Sequence, residues 1–196
     1  MPTPPRTLVV RHRQSTYNAE RRWTAQDDPP LSDAGLAEAA HLAAHLGGLG
    51  VARVVCSDLL RARMTAAAAA RALGLPDATE DPRLREHAIP AFAGRTREEI
   101  EARHPGALAA WRDHGTVPAL PGSEPWAHME ARVLAALGAH RGEGVTLVVA
   151  HAGVLRALHT ALAGEPAKLG RWKGLWLAWD GGAPRIDGVH RFPRPG

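Results

Sequence analysis

The sequence predicts an α/β fold: a single three-layer α/β/α domain whose central sheet is mostly parallel. Three observations carry this. Residues 7–10, 51–56 and 145–150 are short, largely apolar runs rich in β-branched side chains, as strands covered on both faces are. Segments with helical signals separate them, and strands alternating with helices are accommodated by a parallel sheet. The 196-residue chain is 45% hydrophobic and carries no Ser/Gly/Pro linker or internal repeat that would divide it, so residues 1–196 read as one domain.

The elements follow in order. Residues 7–10 form the first strand. Ser32 is placed to cap a helix running to about Leu46, with Leu31 and Leu36 spaced for a hydrophobic staple and Gly47-Gly48 as its stop. Residues 51–56 form the second strand, and Ser57 or Asp58 is placed to cap a helix that ends at Leu73 before Gly74. Its Ala66 to Ala70 stretch suits a helix interior packed on a sheet. Thr96 and Glu99 form a capping box for a helix ending near His104. Residues 124–137 and 154–163 are further helices, on either side of the third strand at 145–150. Residues 174–179 and 185–191 make two strands joined by the Asp180-Gly181-Gly182 turn. The Pro-rich ends, 1–5 and 192–196, are expected to fray.

Composition excludes several classes. The apolar run near the start is too short for a secretory signal, and none elsewhere is long enough to span a bilayer. A single cysteine, Cys56, rules out an internal disulfide; inside an apolar run it reads as a buried, unreactive thiol. A cytoplasmic protein is the expectation. Net charge is +4, and lysine occurs only at Lys168 and Lys173, so the positive charge is nearly all arginine. Arginine grips phosphate and carboxylate in a two-pronged fork, which suits a small anionic ligand. Nucleic acid is the competing partner, but the arginines form no tail or stripe and no aromatic recognition motif accompanies them.

In open parallel sheets ligands bind beyond the carboxyl ends of the strands. The first strand ends in Arg11-His12-Arg13. The second ends in Ser57-Asp58, with Arg61 one turn into the next helix. The third ends in His151-Ala152-Gly153. A lone histidine after a strand is usually a loop residue; two histidines and two arginine-bearing segments at one sheet edge are harder to obtain by accident. Phosphoryl transfer to histidine needs a neutral imidazole, cations around the non-bridging oxygens, and a proton donor for the leaving oxygen. His12 suits the first role, Arg11, Arg61 and His151 the second, and Glu86 the third.

The sequence resembles the histidine phosphatase superfamily, the phosphoglycerate mutase-like fold. The resemblance rests on Arg11-His12-Arg13-Gln14-Ser15-Thr16-Tyr17-Asn18, on Asp28 to Gly35 with its Pro-Leu-Ser core, and on Ser57 to Ala66. It continues through Leu84-Arg85-Glu86, Pro121 to Glu124 with Arg132-Val133, and Val148 to Val154, all in family order. It implies a phosphomonoester hydrolase acting through a phosphohistidine on His12, with Glu86 as proton donor. Arg11, Arg61 and His151 then complete the phosphate pocket and Asn18 contributes to it. Arg22, Trp23 and Thr24 stand in the substrate loop that follows the nucleophile. Neither metal nor cofactor is expected, and the partner is a small phosphorylated metabolite. The sequence is silent on oligomeric state.

Three positions depart from the family pattern: Arg13 stands for a glycine beside the nucleophile, Pro90 for a glycine after the acid, and Ala25 for a glycine in the substrate loop. Two placements of Arg13 are open, one with its guanidinium at the pocket rim binding a second acidic group, the other pointing away. His41 and His45 have a zinc-compatible i,i+4 spacing without a third ligand, and read as a solvated helix face. Ser57 and Asp58 read as caps rather than a nucleophile pair. His87 could tune Glu86 but reads as a loop residue. Trp111 and Trp126 could line the mouth or pack; Trp172, Trp176 and Trp179 read as packing. Two other functions compete: a phosphoglycerate mutase, and a non-catalytic phospho-ligand binder. Against the mutase, Glu86 is followed by His-Ala-Ile-Pro and the segment up to His151 is short. Retention of His12, Glu86 and His151 together argues against the binder.

Overall fold

A computed structural model describes residues 5–114, 120–166 and 169–195, with the side chains of 112–114 left out. Six strands form one sheet in the order β3-β2-β4-β1-β5-β6. They are β1 (Arg6–Arg11), β2 (Val51–Cys56), β3 (Thr79–Glu80), β4 (Val145–Ala150), β5 (Lys173–Asp180) and β6 (Ala183–Arg191). The first four in space are parallel, and β5 and β6 add an antiparallel hairpin on the β1 side. The mostly parallel sheet is therefore as the sequence predicts, and β4, buried at every position, is its centre.

Helices cover both faces. They are α1 (Thr16–Ala19), α2 (Asp33–Ala44), α3 (Leu60–Leu73), α4 (Arg97–Arg103), α5 (Ala107–His114), α6 (Trp126–Ala139) and α7 (Ala152–Ala163). Alternation along the strands splits the core in two. Val9, Val55, Val148 and Leu175 face Met129, Val133, Leu155 and Leu158 of α6 and α7. Leu8, Val10, Cys56, Leu147 and Val149 face Leu42, Ala62, Ala66 and Ala69 of α2 and α3. The alanines let α3 lie close to the sheet. A third cluster of Ile89, Phe92, Ile100 and Ala107, with Trp23, Trp111 and Leu120 packed on it, holds α4, α5 and the preceding loop together.

Several local expectations hold. Ser32 caps α2 by accepting from the Gly35 amide at 3.1 Å, and the Thr96–Glu99 capping box is complete. Gly74 ends α3 in the left-handed conformation that a Cβ disfavours. Others are corrected. No staple links Leu31 and Leu36, because Leu36 is 48% exposed while Leu31 is buried. Neither Ser57 nor Asp58 caps α3: the Leu60 amide donates to Asp28 Oδ1 at 2.5 Å, and Asp58 pairs with Arg85. The C-terminal end does not fray at Phe192, which is buried against the α2/α3 core and donates its amide to the Trp172 carbonyl at 2.9 Å. Residues 1–4 and 196 lie outside the described residues. Sequence reasoning missed α1, α5 and β3, which are short or flanked by turn-forming residues.

Gly35 shows why the Pro-Leu-Ser-x-x-Gly segment ends as it does. A Cβ there would lie 1.9 Å from the Gln14 carbonyl oxygen, and that neighbour is backbone. The Gln14 carbonyl also accepts from the Ser32 amide at 3.0 Å, so α2 is seated directly on the loop behind His12. Gly35→Ala is expected to destabilise the fold by about 2–3 kcal/mol or more, an overpacking cost with no flexible neighbour to absorb it. Chemical denaturation measures it; a loss below ~0.5 kcal/mol, the usual range of a harmless surface change, would show that the contact yields.

Candidate active site

Strand register places the two histidines together. Arg11 pairs with Ala150 at the carboxyl ends of the neighbouring strands β1 and β4. The His12 amide extends that ladder to the Ala150 carbonyl at 2.8 Å. His151 is the N-cap residue of α7, and its ring centroid lies 5.1 Å from that of His12. Both side chains are buried.

His12 Nδ1 lies 2.6 Å from the carbonyl oxygen of Arg13. A carbonyl can only accept, so Nδ1 carries the hydrogen and Nε2 keeps the lone pair. Burial holds the His12 pKa well below 6.5, and Arg61 and Arg11 reinforce the effect. His151 is lowered in the same direction by burial, Arg61 and His12. Both imidazoles are therefore neutral near neutral pH.

The cations come from separate segments. Arg61, on the first turn of α3, is fully buried and donates to the Asp27 and Ala25 carbonyls at 2.6 and 2.9 Å. Ala25 reaches this geometry with φ +41°, the region where glycine is the easy residue, so the family's glycine preference at this position has a backbone cause. Burial lowers the Arg61 pKa to about 10, which leaves it charged at neutral pH. Arg11 donates to no protein acceptor among the described residues, and its Nε is buried. Arg61 Nε and both His151 nitrogens are likewise buried without a hydrogen-bond partner. Buried donors and acceptors are normally satisfied, so four such atoms around one imidazole mark a site built for a polar ligand.

Glu86 belongs to the same constellation. Its carboxylate accepts from the Gly153 amide at 3.0 and 3.2 Å and from the His87 amide at 2.8 Å. It thus sits on the N-terminus of α7, two residues beyond His151. Gly153 leaves the space, since a Cβ there would lie 2.1 Å from Glu86 Oε1. The Glu86 carbonyl is held by Gln26 Nε2 at 2.9 Å and Arg132 Nη2 at 3.3 Å. Arg132 also donates to the Arg83 and Arg85 carbonyls and forks onto Glu124. Gln26, Arg132 and Glu124 are the supporting residues that sequence reasoning did not assign. The signal was the eight-residue spacing of Glu124 and Arg132, read there only as a helix signature.

Other sequence candidates take structural places. Asn18 closes a capping box with Ser15 at the start of α1, its Oδ1 3.4 Å from the Ser15 amide. Arg22 donates to the Gly94 carbonyl at 2.8 Å and pairs with Glu99 and Glu20, which ties the substrate loop to α4. Trp23 packs edge-on against Phe92 and Trp111, and Thr24 is buried. Trp126 stacks edge-on with His87, whose Nε2 donates to the Glu124 carbonyl, so His87 is a packed loop residue. Trp172, Trp176 and Trp179 pack on the two main cores. His41 and His45 face each other but donate to the Pro193 and His41 carbonyls, and no metal-ligating group of three exists among the described residues. Burial drives the Cys56 thiol up to about 12, which makes it inert.

The rim placement of Arg13 is corrected. Arg13 is fully buried, its guanidinium donates to the Arg171 carbonyl, and its Cζ lies 4.8 Å from the centre of the Trp172 ring. The Arg13 amide donates to Thr65 Oγ1 at 3.1 Å. Alternation along the chain turns Arg13 away from His12, toward the segment before β5.

A neutral imidazole flanked by guanidinium groups and a carboxylate, at the carboxyl edge of a parallel sheet, defines a phosphoryl-transfer site on an α/β scaffold. The sequence matches the profile of the histidine phosphatase superfamily (branch 1) over residues 7–177, and the chain belongs to that family. It is 36% identical over 170 residues to a glucosyl-3-phosphoglycerate phosphatase of Mycolicibacterium vanbaalenii, a match that covers 82% of this chain and 75% of the relative. It is 33% identical over 166 residues to a probable phosphoglycerate mutase of Salmonella paratyphi B, covering 81% and 75%. The solved structure of a mycobacterial glucosyl-3-phosphoglycerate phosphatase with VO3 superimposes with a TM-score of 0.81 at 30% identity, over 94% of this chain and 98% of that one. The chain is a phosphoric monoester hydrolase of that family. No helix among the described residues is long and apolar enough to cross a membrane.

The two depressed histidines make stability depend on pH. The unfolded chain binds protons at histidine near pH 6.5, whereas native His12 and His151 resist protonation to well below that value. Stability is therefore fully present above about pH 6.5 and falls as the pH drops through the window beneath it. Between about pH 7 and 5.5 the expected loss is on the order of 1 kcal/mol for each histidine. Urea unfolding at the two pH values measures it, and equal stabilities would show that both rings protonate in place.

Proposed function

We propose that His12 Nε2 attacks the phosphorus of a small phosphorylated metabolite. The N–P bond forms as the ester P–O bond breaks, and Glu86 gives its proton to the leaving oxygen. Arg11, Arg61 and His151 hold the three non-bridging oxygens through this step, where positioning and electrostatics supply most of the catalysis. A water then attacks the phosphohistidine, Glu86 takes its proton, the N–P bond breaks and inorganic phosphate leaves. Asn18 at the start of α1 and Thr24 in the substrate loop complete the binding walls. The observation that carries this reading is the set of buried, unpartnered nitrogens on Arg11, Arg61 and His151 around His12.

We assign the substrate to the phosphorylated sugars and sugar acids, on the strength of the relatives named for glucosyl-3-phosphoglycerate. The enzyme is placed in the cytoplasm, in keeping with its single, inert thiol, and takes neither nucleic acid nor a membrane as partner. Transfer to a second metabolite, the mutase reading, is supported by the Salmonella relative. The acceptor decides between them. With a panel of sugar phosphates and phosphoglycerates, the expected result is stoichiometric release of inorganic phosphate that does not depend on 2,3-bisphosphoglycerate. Phosphoglycerate isomerisation that requires the bisphosphate would overturn it.

A further inference from the structure

Beyond the phosphoryl pocket, the same edge of the sheet carries a second feature that the reaction does not use. The segments before β5 and after β6 enclose a cleft of about 220 Å³ lined by Arg171, Lys173, Arg191 and Arg194, with Trp172 and Phe192 as its apolar walls. Lys173 and Arg191 are directly opposite in the β5–β6 ladder. Facing residues of an antiparallel pair share one side of the sheet, so two like charges are held against each other, an arrangement that costs stability. Several arginines elsewhere have a carboxylate partner: Arg6 has Asp187, Arg63 has Glu80, Arg85 has Asp58 and Arg132 has Glu124. In the cleft only Arg171 approaches a carboxylate, Glu38 at 3.8 Å, and Lys173, Arg191 and Arg194 have no ion pair among the described residues. No acidic side chain lines the cleft.

The wall is firm. Arg13 stacks on the Trp172 ring and donates to the Arg171 carbonyl, Phe192 donates its amide to the Trp172 carbonyl, and Lys173 donates its amide to the Gly170 carbonyl. Four cations on a braced frame, two of them forced into opposition, match a ligand that brings several negative charges in a small volume. Guanidinium groups bind phosphate and carboxylate oxygens in forked pairs. None of His12, His151, Arg11, Arg61 and Glu86 lines this cleft, so its lining is distinct from that of the phosphoryl pocket.

We propose that this cleft binds a compact polyanion bearing two or more phosphate or carboxylate groups, at a site other than the one that performs catalysis. Tripolyphosphate is the probe, added to the full chain with the phosphoryl pocket saturated by orthovanadate and read by calorimetry. One further site per chain is expected, weakened by salt and accompanied by a rise in melting temperature. The exposed pair Arg191→Ser/Arg194→Ser is expected to raise its Kd about tenfold or more, as loss of charge-assisted contacts does, with aryl phosphate turnover unchanged. Lys173→Gln, on the facing strand, is expected to weaken binding by a separate route. Arg97→Ser/Arg103→Ser on α4 removes the same charge elsewhere and is expected to leave binding intact. Absence of binding beside vanadate would overturn the proposal. So would unchanged affinity in both cleft variants, or an equal loss in the α4 variant, which would make the binding diffuse attraction only.

Discussion

Replacing His12 by alanine is expected to stop turnover, with a loss on the order of a thousandfold or more. The reason lies in what surrounds the ring. His151 is the only other imidazole in the pocket among the described residues, and its two nitrogens have no hydrogen-bond partner there to fix which one carries the hydrogen. It cannot replace a nucleophile whose tautomer is set by the Arg13 carbonyl at 2.6 Å. Acid-labile phosphate trapped on the protein by rapid quench is expected in the wild type and absent from His12→Ala. The burial of His12 makes a folding check necessary, and His12→Asn, which keeps a polar group near the Arg13 carbonyl, provides it. Near-normal turnover in either variant would remove His12 from the nucleophile role.

Glu86→Gln is expected to separate substrates by leaving group. Alkyl phosphates, whose leaving oxygen must be protonated as the bond breaks, lose roughly a hundredfold or more, the usual worth of a general acid. A nitrophenyl phosphate leaves as a stable anion and loses much less. Glutamine keeps the size of the side chain and an oxygen to accept from the Gly153 and His87 amides, so the contrast reports on the proton and not on collapse of the loop. Equal losses on both esters would assign Glu86 to positioning alone.

How much of this was legible in the sequence differs by layer. The three parallel strands were, because β1, β2 and β4 are short runs dominated by β-branched and other apolar residues. So was the placement of Arg11, His12, Arg61 and His151 at one sheet edge, because each ends a strand, directly follows one or opens a helix, while Glu86 was singled out by the short motif around it. The bracing around Glu86 was not, since Gln26, Arg132 and Glu124 act through backbone carbonyls that leave no pattern in side-chain spacing. The cap of α3 was misread for a related reason: Asp28, thirty-two residues away, competes with the adjacent Ser57 and Asp58, and distance in the chain hides it. Arg13 was the hardest. Its position beside the nucleophile invites a role at the mouth, and only the fold shows that Trp172, far along the chain, offers the ring it stacks on.

The amide of Gly153 links two positions that are sixty-seven residues apart in the chain. In a drifting lineage neither can change freely while the other stays. A side chain at 153 meets the Glu86 carboxylate, and a glutamate withdrawn from 86 leaves the Gly153 amide without its acceptor. Shortening 86 to aspartate opens room for an alanine at 153, so the pair can move in company at less cost than the alanine alone. For anyone recombining this domain with a relative, the 84–88 and 150–154 segments form one inheritable block, and a crossover between them separates parts that were fitted to each other.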